Sequence, residues 1–309
     1  MVDYLAITGG VGGAKLALGL AHVLPADKVA FAVNTGDDFE HLGFAISPDI
    51  DTLTYTLSDL ANKELGWGRQ DETWAFMDAL EQLGGETWFR LGDRDLALHA
   101  FRTAALKDGR SLTEITAEIC RRLGISQSVL PMSDDPVRTT VLTPDGPLAF
   151  QHYFVRDRCA PSVTGFEFQG AETATLNPQI EALLPHLKGV IICPSNPFVS
   201  VDPLLTIGDT REKLAALDVP VVAVSPIVGG TAIKGPTAKM MAELSIPSTA
   251  AAVAAHYHGL IDGFVLDSQD AALDGTLGVP STVTQSVMLT LSDRIALAEA
   301  TLEFLANLR

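Results

Sequence analysis

The chain has 309 residues, which exceeds the usual length of one domain, and carries a formal net charge of -17 at neutral pH. One α/β domain with an insertion can reach this length. The negative charge argues against nucleic acid and anionic membranes as partners, because both require a basic surface. The cysteines, Cys120, Cys159 and Cys193, form no CxxC pair, which suggests neither a disulfide framework nor a zinc site and fits a reducing, cytoplasmic environment. No apolar run reaches the ~18 residues of a membrane span.

Residues 5–20 read as an apolar strand, a glycine-rich turn and an Ala/Leu helix, with Lys15 expected in the first turn of that helix. The glycines of the turn are Gly9, Gly10, Gly12 and Gly13. Because glycines let the backbone pass close to a ligand and a helix start favours an anion, we predict that this turn binds a phosphate. A dinucleotide fingerprint counted from Gly10 fails at Lys15, and a P-loop would need Gly-Lys-Ser/Thr where this chain has Ala-Lys-Leu. A tight turn without a ligand is the alternative interpretation.

Further along the chain, short apolar runs alternate with helical segments, as in a parallel sheet whose strands are buried on both faces. The runs that predict strands are 29–34, 189–194, 220–226 and 263–267. The segments that predict helices are 72–83, 111–123, 177–187, 210–217, 234–244, 248–258 and 284–307. This alternation predicts a doubly wound, mostly parallel Rossmann-like α/β sheet in a single domain over residues 1–309. An inserted helical and antiparallel hairpin region is also expected, with the hairpin at about 137–170 and a turn at Pro144-Asp145-Gly146.

Three short segments, 34–38, 47–52 and 91–95, together hold six carboxylates. In an open α/β sheet ligands bind outside the carboxyl ends of the strands, where such segments are expected to lie. Near a phosphate, this density of carboxylates requires a cation, and hard oxygen ligands favour magnesium. The candidate metal ligands are Asp37, Asp38 and Asp49. For a single aspartate, capping of a turn or a helix is the alternative.

Other polar residues near the ends of predicted strands add to the candidate site. Asn34 ends the second strand, and two loops after later strands offer side chains and N–H groups suited to a base or a phosphate. The loop residues concerned are Ser195 and Asn196 in one loop, and Ser225, Gly229 and Gly230 in the other. Trp67, with Trp74 on the next helix, is a candidate wall for a flat ring, although buried aromatic core is the commoner role of such residues.

The ordered set of motifs resembles the 2-phospho-L-lactate transferase family of deazaflavin coenzyme F-420 biosynthesis. The motifs are TGGVGGAKL, VNTGDD, SPDIDT, GWGRQDET, RLGDRD, the RTTV hairpin, PSNPF and SPIVGG. The resemblance runs from residue 5 to about 235 and continues weakly to the C-terminus, with SPDIDT and LGDRD as its specific elements. One departure is the turn, which reads GGVGGAKL where family members often have GGTGTPKL, so that a Thr hydroxyl is missing beside the expected phosphate.

The resemblance implies a magnesium-dependent transferase and indicates which substrates it would use. Its donor would be a guanosine diphosphate ester of a three-carbon acid, and its acceptor the terminal ribityl hydroxyl of the deazaflavin FO, with GMP released. Carried over to this chain, the deazaflavin contacts fall on Asp51 and Arg90, and the nucleotide on the glycine turn, PSNPF and SPIVGG. The candidate catalytic carboxylates are Asp51 and Asp49, and which carboxylate binds the metal and which acts as the base stays open. A homodimer is expected, as is common for such enzymes. The acid carried, which would make the group phospholactyl, phosphoenolpyruvyl or phosphoglyceryl, stays open.

Two other functions compete with this interpretation. The gluconeogenesis-factor-like proteins resemble the chain in the sheet and the glycine turn, and they imply a nucleotide-sugar-binding regulator without chemistry. A nicotinamide oxidoreductase is suggested by the glycine turn alone, with Asp37 and Asp38 near the expected distance for an acidic ribose contact. We favour the transferase, because SPDIDT followed by LGDRD is associated with that branch.

Overall fold

The computed structural model describes residues 1–63, 67–233 and 235–308. The strands are β1 (Tyr4–Thr8), β2 (Val29–Val33), β3 (Phe39–His41), β4 (Phe44–Ile46), β5 (Ser128–Pro131), β6 (Arg138–Thr143), β7 (Gly146–Ala149), β8 (Gly165–Gln169), β9 (Gly189–Ile192), β10 (Val221–Val224), β11 (Ile227–Val228), β12 (Thr231–Ala232), β13 (Gly263–Asp267) and β14 (Ser281–Thr284). The α-helices are α1 (Gly10–Val23), α2 (Pro48–Leu57), α3 (Ala75–Gln82), α4 (Asp93–Lys107), α5 (Leu112–Arg122), α6 (Pro178–Leu183), α7 (Asp202–Leu205), α8 (Thr210–Ala215), α9 (Thr237–Glu243), α10 (Ala250–His256) and α11 (Leu291–Asn307). Short π-helical turns span His152–Arg156 and Pro197–Val201, and 3-10 turns span Leu184–His186 and Ser268–Leu273.

Seven of the described strands form one sheet in the order β14-β13-β10-β9-β1-β2-β5, and every neighbouring pair is parallel. The five central strands, β1, β2, β9, β10 and β13, are almost entirely apolar and buried, because helices cover both faces. The sheet order reverses between β1 and β9, since the chain leaves β1 towards β2 on one side and later returns to β9 on the other. A crevice is expected at this position in an open α/β sheet.

Two apolar cores lie on the two faces of the sheet. One core joins the sheet to α1, α2, α5 and α11 through residues such as Leu16, Leu20 and Leu297. The other joins it to α6–α10 and to the hairpin region, with Tyr153 and Val141 among its buried side chains. Removing such side chains from water is the main stabilising contribution, at about 1.5–3 kcal/mol for a fully buried large apolar residue. The helices of the described residues include none that is both long and apolar enough to cross a membrane.

Smaller antiparallel sheets lie next to the parallel sheet, at the edge where its strands have their carboxyl ends. Strand β6 pairs with β7 through a turn at Pro144 and Asp145 and with β8 on its other side. Strands β3 and β4 form a second hairpin, whose turn residues Leu42 and Gly43 have φ angles of 53° and 78°. Positive φ at both turn positions matches the right-handed twist of the two strands. These additions bring 39–46 and 146–169 alongside the parallel sheet.

The structure confirms the doubly wound Rossmann-like sheet and the inserted hairpin region. The apolar runs at 29–34, 189–194, 220–226 and 263–267 became β2, β9, β10 and β13. Neither edge strand, β5 nor β14, was predicted, and the β3–β4 hairpin and helices α2 and α4 were also missed.

The predicted starts of three helices were wrong. The segment 284–307 is helical only from Leu291, because Thr284 belongs to β14 and a capping box between Thr290 and Asp293 starts the helix. Lys15 lies in the second turn of α1 rather than the first, because the helix already begins at Gly10. The predicted helix 234–244 starts at Thr237, and its first position, 234, lies outside the described residues.

Candidate functional site

A cavity of about 510 Å³ opens at the carboxyl edge of the parallel sheet, where the sheet order reverses. Its walls come from the start of α1, from α2 and α4, and from the loops after β9, β10 and β14. The inserted region closes one side with Phe150, Gln151 and Phe154. We call the part lined by Gly9, Gly10, Gly12, Pro194 and Asn196 the glycine end. We call the part lined by Asp51, Tyr55, Arg90, Asp95 and His99 the α2/α4 end.

The glycine end is built mainly from backbone. Helix α1 has no side-chain N-cap, and the first N–H groups of a helix have no partner within it. A Cβ on Gly12 would lie 2.5 Å from the carbonyl oxygen of Pro194, so glycine is what lets the helix start pack against the loop after β9. Lys15 also lines this wall, and its Nζ donates a hydrogen bond to the Met288 carbonyl at 2.8 Å. The Gly10 N–H donates to Asp49, but the following amides at the helix start have no partner within the helix, and together with the helix dipole they make the wall suited to an anion such as a phosphate.

The polar side chains predicted to contact a base are hydrogen-bonded to backbone. Ser195 Oγ accepts from the Gly9 N–H at 3.1 Å and donates to the Gly9 carbonyl at 2.8 Å. Asn196 Oδ1 accepts from the backbone N–H two residues further on at 3.0 Å. Ser225 Oγ accepts from the Ile227 N–H at 3.2 Å and donates to the Ile227 carbonyl at 2.7 Å. These bonds tie the loop after β9 to the glycine turn and shape the loop after β10.

At the floor of the cavity, the carboxylates of Asp37 and Asp49 both accept a hydrogen bond from the side-chain amide of Asn34. Asn34 Nδ2 donates to Asp37 Oδ1 at 2.6 Å and to Asp49 Oδ2 at 2.9 Å, and Asp49 Oδ1 accepts from the Gly10 N–H at 2.7 Å. Burial raises the pKa of Asp37 well above its usual range, and the neighbouring Asp49 adds to this. Burial also raises the pKa of Asp49 to about 6, although hydrogen bonds from Asn34 and Gly10 oppose it.

Two buried carboxylates that share one amide donor need a proton or a cation between them, because like charges this close disfavour double ionisation. Their oxygens are hard ligands of the kind that magnesium prefers, and both residues line the cavity. The donor set of Asp37 and Asp49 therefore fits a magnesium ion beside an anionic ligand.

Asp38, the third predicted metal ligand, lies apart from this pair. Ser47 Oγ donates to Asp38 Oδ2 at 2.8 Å, and Asp38 does not line the cavity. Burial raises the pKa of Asp38 to about 7, against the opposing effects of Arg138 and the bond from Ser47. Within the part of the chain that the structure describes, no group of three or more His, Cys, Asp or Glu residues is arranged to hold a metal ion. The structure thus brings together two of the three predicted ligands.

At the α2/α4 end, Asp51 is paired with a fully buried arginine, Arg102. The terminal nitrogens of Arg102 contact both carboxylate oxygens of Asp51, with Nη1 at 3.1 Å from Oδ2. The same Nη1 lies 3.3 Å from His99 Nδ1, and the Tyr55 hydroxyl donates a hydrogen bond to Asp95. The sequence reasoning singled out Asp51 but missed Tyr55, His99 and Arg102. His99 and Arg102 could have been found from their helical spacing with Asp95, which places the three residues on one face of a helix.

Aromatic rings form another wall of this end. The guanidinium of Arg90 lies 4.6 Å from the centre of the Trp74 ring, and Arg90, Trp67 and Phe89 all line the cavity. Phe150 and Phe154 stack with ring centres 5.5 Å apart and an interplanar angle of 8°. The sequence reasoning missed these three phenylalanines. A cavity with such faces accommodates a flat ring, to which aromatic side chains and a guanidinium both stack well.

Most of the residues predicted from the sequence line the cavity: Gly10, Gly12, Lys15, Asp37, Asp49, Asp51, Trp67, Arg90, Ser195, Asn196 and Ser225. The exceptions are Gly13, Asn34, Asp38, Gly229 and Gly230. Asn34 supports the floor by binding the two carboxylates, and Gly13 packs against Thr8 and Ser195. Gly229 and Gly230 are exposed, and the Gly229 N–H donates to Asp270 at 3.0 Å. This part of the SPIVGG loop therefore lies outside the cavity.

The fold and the cavity define a Rossmann-like α/β protein with a binding cleft at the point where the sheet order reverses. A crystal structure of a UPF0052 family member from Bacillus halodurans is similar, with a TM-score of 0.63 and 15% identity over 98% of this chain and 100% of that chain. A further X-ray structure from the same organism has a TM-score of 0.64 and 16% identity over 97% of this chain and 99% of that chain. At this identity the likeness concerns the fold alone.

Sequence comparison shows to which family within this class the chain is similar. The family described as 2-phospho-L-lactate transferase CofD matches residues 5–279. A 2-phospho-L-lactate transferase of Methanosarcina mazei is 37% identical over 265 residues, which cover 86% of this chain and 87% of that protein. A phosphoenolpyruvate transferase of Kitasatospora aureofaciens is 38% identical over 302 residues, with 96% and 94% covered, and one of Streptomyces griseus is 40% identical over 271 residues, with 86% and 85% covered.

The chain belongs to the CofD family of 2-phospho-L-lactate transferases. It is therefore a transferase, and its family is that of coenzyme F-420 biosynthesis, as the ordered motifs implied. Membership decides against the nicotinamide oxidoreductase and against a nucleotide-sugar-binding regulator.

Proposed function

We propose that the protein transfers a phospho-acid group from a guanosine diphosphate ester to the terminal ribityl hydroxyl of the deazaflavin FO and releases GMP. The observation that carries this proposal is that one cavity joins an anion-binding helix start to an aromatic wall bearing carboxylates. Asp49 links the two ends, since its carboxylate accepts from the Gly10 N–H and it lies two residues before Asp51 on α2. A phosphate donor and a flat, hydroxylated acceptor would then meet above Asp49.

The transfer is a displacement at phosphorus. The ribityl oxygen forms a bond to the phosphorus that carries the acid, the bond from that phosphorus to the bridging oxygen breaks, and GMP leaves with the electron pair. The hydroxyl loses its proton, for which Asp51 is the candidate acceptor, because Asp49 would be occupied by the metal. The backbone amides at the start of α1 stabilise negative charge on the phosphates, and the α2/α4 end orients the acceptor hydroxyl.

Asp37 and Asp49 are the residues that would hold magnesium, which when bound supplies positive charge to the diphosphate. Binding of a cation would replace the proton that the two buried carboxylates otherwise share. We further propose that the nucleotide base is guanine, held near the loops after β9 and β10, and that the protein acts as a homodimer. Light scattering of the purified protein tests the oligomeric state.

The test is product analysis by mass spectrometry with FO and each of three guanosine diphosphate esters, those of lactate, enolpyruvate and glycerate. Formation of one phospho-acid ester of FO together with GMP supports the proposal and identifies the acid. Matched reactions contain excess EDTA or the corresponding adenosine donor. Full turnover in EDTA removes magnesium from the proposal, equal use of the adenosine donor removes the preference for guanine, and no product with any donor overturns the transfer itself.

A further inference from the structure

A buried chain of polar side chains runs behind the α2/α4 end and connects two helices. Tyr55 follows Asp51 by one turn on α2, while Asp95, His99 and Arg102 lie on one face of α4. Arg102 is completely buried and lies behind the cavity wall, whereas Asp51, Tyr55, Asp95 and the almost completely buried His99 line it. The side chains of Asp51 and Asp95 keep 8% and 16% of their surface exposed, so a ligand in the cavity can contact both carboxylates.

The hydrogen-bond chemistry of this chain has one consistent arrangement. Arg102 can only donate, so His99 Nδ1, 3.3 Å from Arg102 Nη1, must be the accepting nitrogen of the ring. The ring proton is then on Nε2, which lies 3.4 Å from Asp95 Oδ2. The Tyr55 hydroxyl completes the chain by donating to Asp95 Oδ1. Arg102 donates to both Asp51 and His99, and Tyr55 donates to Asp95, whereas His99 Nε2 faces Asp95 Oδ2 without forming a regular hydrogen bond to it.

This arrangement holds both carboxylates in place and favours the ionised form of Asp95. Burial acts to raise the pKa of Asp95, but the contacts with His99 and Tyr55 outweigh it and lower the pKa below its usual range. Burial also raises the pKa of the Tyr55 hydroxyl well above its usual range, so this group remains a donor.

We propose that Arg102 and His99 are positioning residues that fix Asp51 and Asp95 as a pair of hydrogen-bond acceptors for a polyhydroxylated chain of the acceptor substrate. This inference rests on the proposed function. A carboxylate has about four acceptor positions, so Asp51 and Asp95 retain capacity for hydroxyl donors after their internal bonds are made. A cation is disfavoured at the same place, because the guanidinium of Arg102 is in contact with Asp51. Asp51 therefore orients the acceptor.

The first test compares His99→Asn with His99→Gln, which remove complementary halves of the connection. Asparagine can still accept from Arg102 but does not reach Asp95, whereas glutamine can reach Asp95 but offers Arg102 no acceptor near the Nδ1 position. We expect either change to lower kcat/KM for FO about tenfold, with the Kd for GDP within twofold of the parent. Arg102→Met should cause a larger loss, and Arg102→Lys, which keeps the charge without the paired nitrogens, should restore part of it.

A matched control separates positioning from stability. Ala105 is buried on the same helix α4 but packs against Ile115 and Ile119, away from the chain of polar groups. Ala105→Gly should shift the midpoint of urea unfolding to a lower concentration without changing kcat or KM for FO. All measurements are made on variants shown by circular dichroism to be folded at the assay temperature. If Arg102→Met does not fold, the two His99 variants decide the question.

The outcomes distinguish this inference from the proposed function. If the parent transfers to FO and the folded His99 variants keep its kinetic constants for FO, the network is structural only and the inference is overturned, while the function stands. If the parent makes no product but binds FO by fluorescence titration, and the His99 variants bind it more weakly, the transfer is wrong and the positioning role is supported. If the parent neither transfers to FO nor binds it, both are overturned.

Discussion

At the glycine end of the cavity, the groups that meet a ligand are mainly backbone amides and short loops, whereas at the α2/α4 end they are charged side chains supported by other buried charges. The first kind of site needs only a strand, a turn and a helix that are adjacent in sequence. The second needs Asp51 and Arg102, which are 51 positions apart, to meet in the interior. One cleft thus combines a binding site formed by residues that are adjacent in sequence with a binding site formed by residues that only folding brings together.

The two ends of the cavity also differ in what they cost the folded protein when no ligand is bound. An amide at a helix start costs little when no ligand is bound, because water can reach it. The paired charges at the α2/α4 end are removed from water, so each depends on its partner, and loss of one leaves the other buried and uncompensated. We therefore expect changes at the α2/α4 end to affect stability and activity together, and changes at the glycine end to affect mainly nucleotide affinity.

The largest effect is expected for Asp51→Asn. Loss of the carboxylate that orients the acceptor should lower kcat by roughly 10²-fold, and the buried Arg102 left without its partner should cost about 3–5 kcal/mol of unfolding free energy. Turnover with FO and urea unfolding measure the two consequences. Asp59→Asn, an exposed change just after the same helix, is the control and should alter neither. Parent-like turnover by folded Asp51→Asn would remove Asp51 from the site.

A smaller and more selective effect is expected for Gly12→Ala. The added Cβ meets the Pro194 carbonyl oxygen, and overpacking of this kind costs typically about 1–3 kcal/mol. We expect roughly tenfold weaker binding of GDP, measured by calorimetry, with the Kd for FO nearly unchanged. Ala21→Gly on the same helix should lower stability by about 1 kcal/mol without changing GDP affinity. Equal weakening of both ligands by Gly12→Ala would contradict the separation of the two ends.

Arg90→Ala tests the aromatic wall of the other end. Loss of the cation beside Trp74 and the cavity should weaken FO binding about fivefold, the equivalent of about 1 kcal/mol. GDP binding should stay unchanged, as fluorescence and calorimetric titrations can show. Arg94→Ala, at an exposed residue that does not line the cavity, controls for the loss of charge. An FO affinity equal to that of the parent would exclude Arg90 from the acceptor site.

The smallest effect concerns the carboxylates where the two ends meet. Asp49 has a pKa raised to about 6, so the folded, metal-free protein keeps its proton to higher pH than the unfolded chain does. From about pH 4 to pH 6 the unfolded chain thus binds fewer protons, and the contribution of this group to the free energy of unfolding falls as pH rises. Urea unfolding in EDTA should show a steeper decrease for the parent than for Asp49→Asn, and added Mg²⁺ should stabilise the parent more. Identical pH dependence of the two proteins would contradict the raised pKa.

The sequence was sufficient for the central strands and for the glycine turn. Strands such as β2 and β9 are continuous apolar runs, because a strand buried on both faces has no polar side to interrupt the pattern. The edge strands β5 and β14 were missed because they are short and carry serine or threonine among their apolar residues. The family could also be recognised, since its motifs lie in loops whose residues serve ligands rather than the core.

Helices α2 and α4 were missed for a reason that also explains their importance. Helix prediction relies on an apolar stripe, but the buried residues of α2 include Asp49, Asp51 and Thr54, and those of α4 include His99 and Arg102. A buried polar face is stable only if distant residues supply its hydrogen bonds and charges. Its pattern therefore indicates a helix only once those partners are known.

The sequence by itself determined a Rossmann-like sheet, a glycine turn at a helix start and the order of motifs that defines the CofD family. Only the tertiary structure decided that Asp37 and Asp49 meet on Asn34 while Asp38 does not, and that Asp51 faces the cavity with Arg102 behind it. Local structure follows from propensity and periodicity over a few residues. The pairing of charges depends on which distant segments the packed cores bring together, and no local pattern records it.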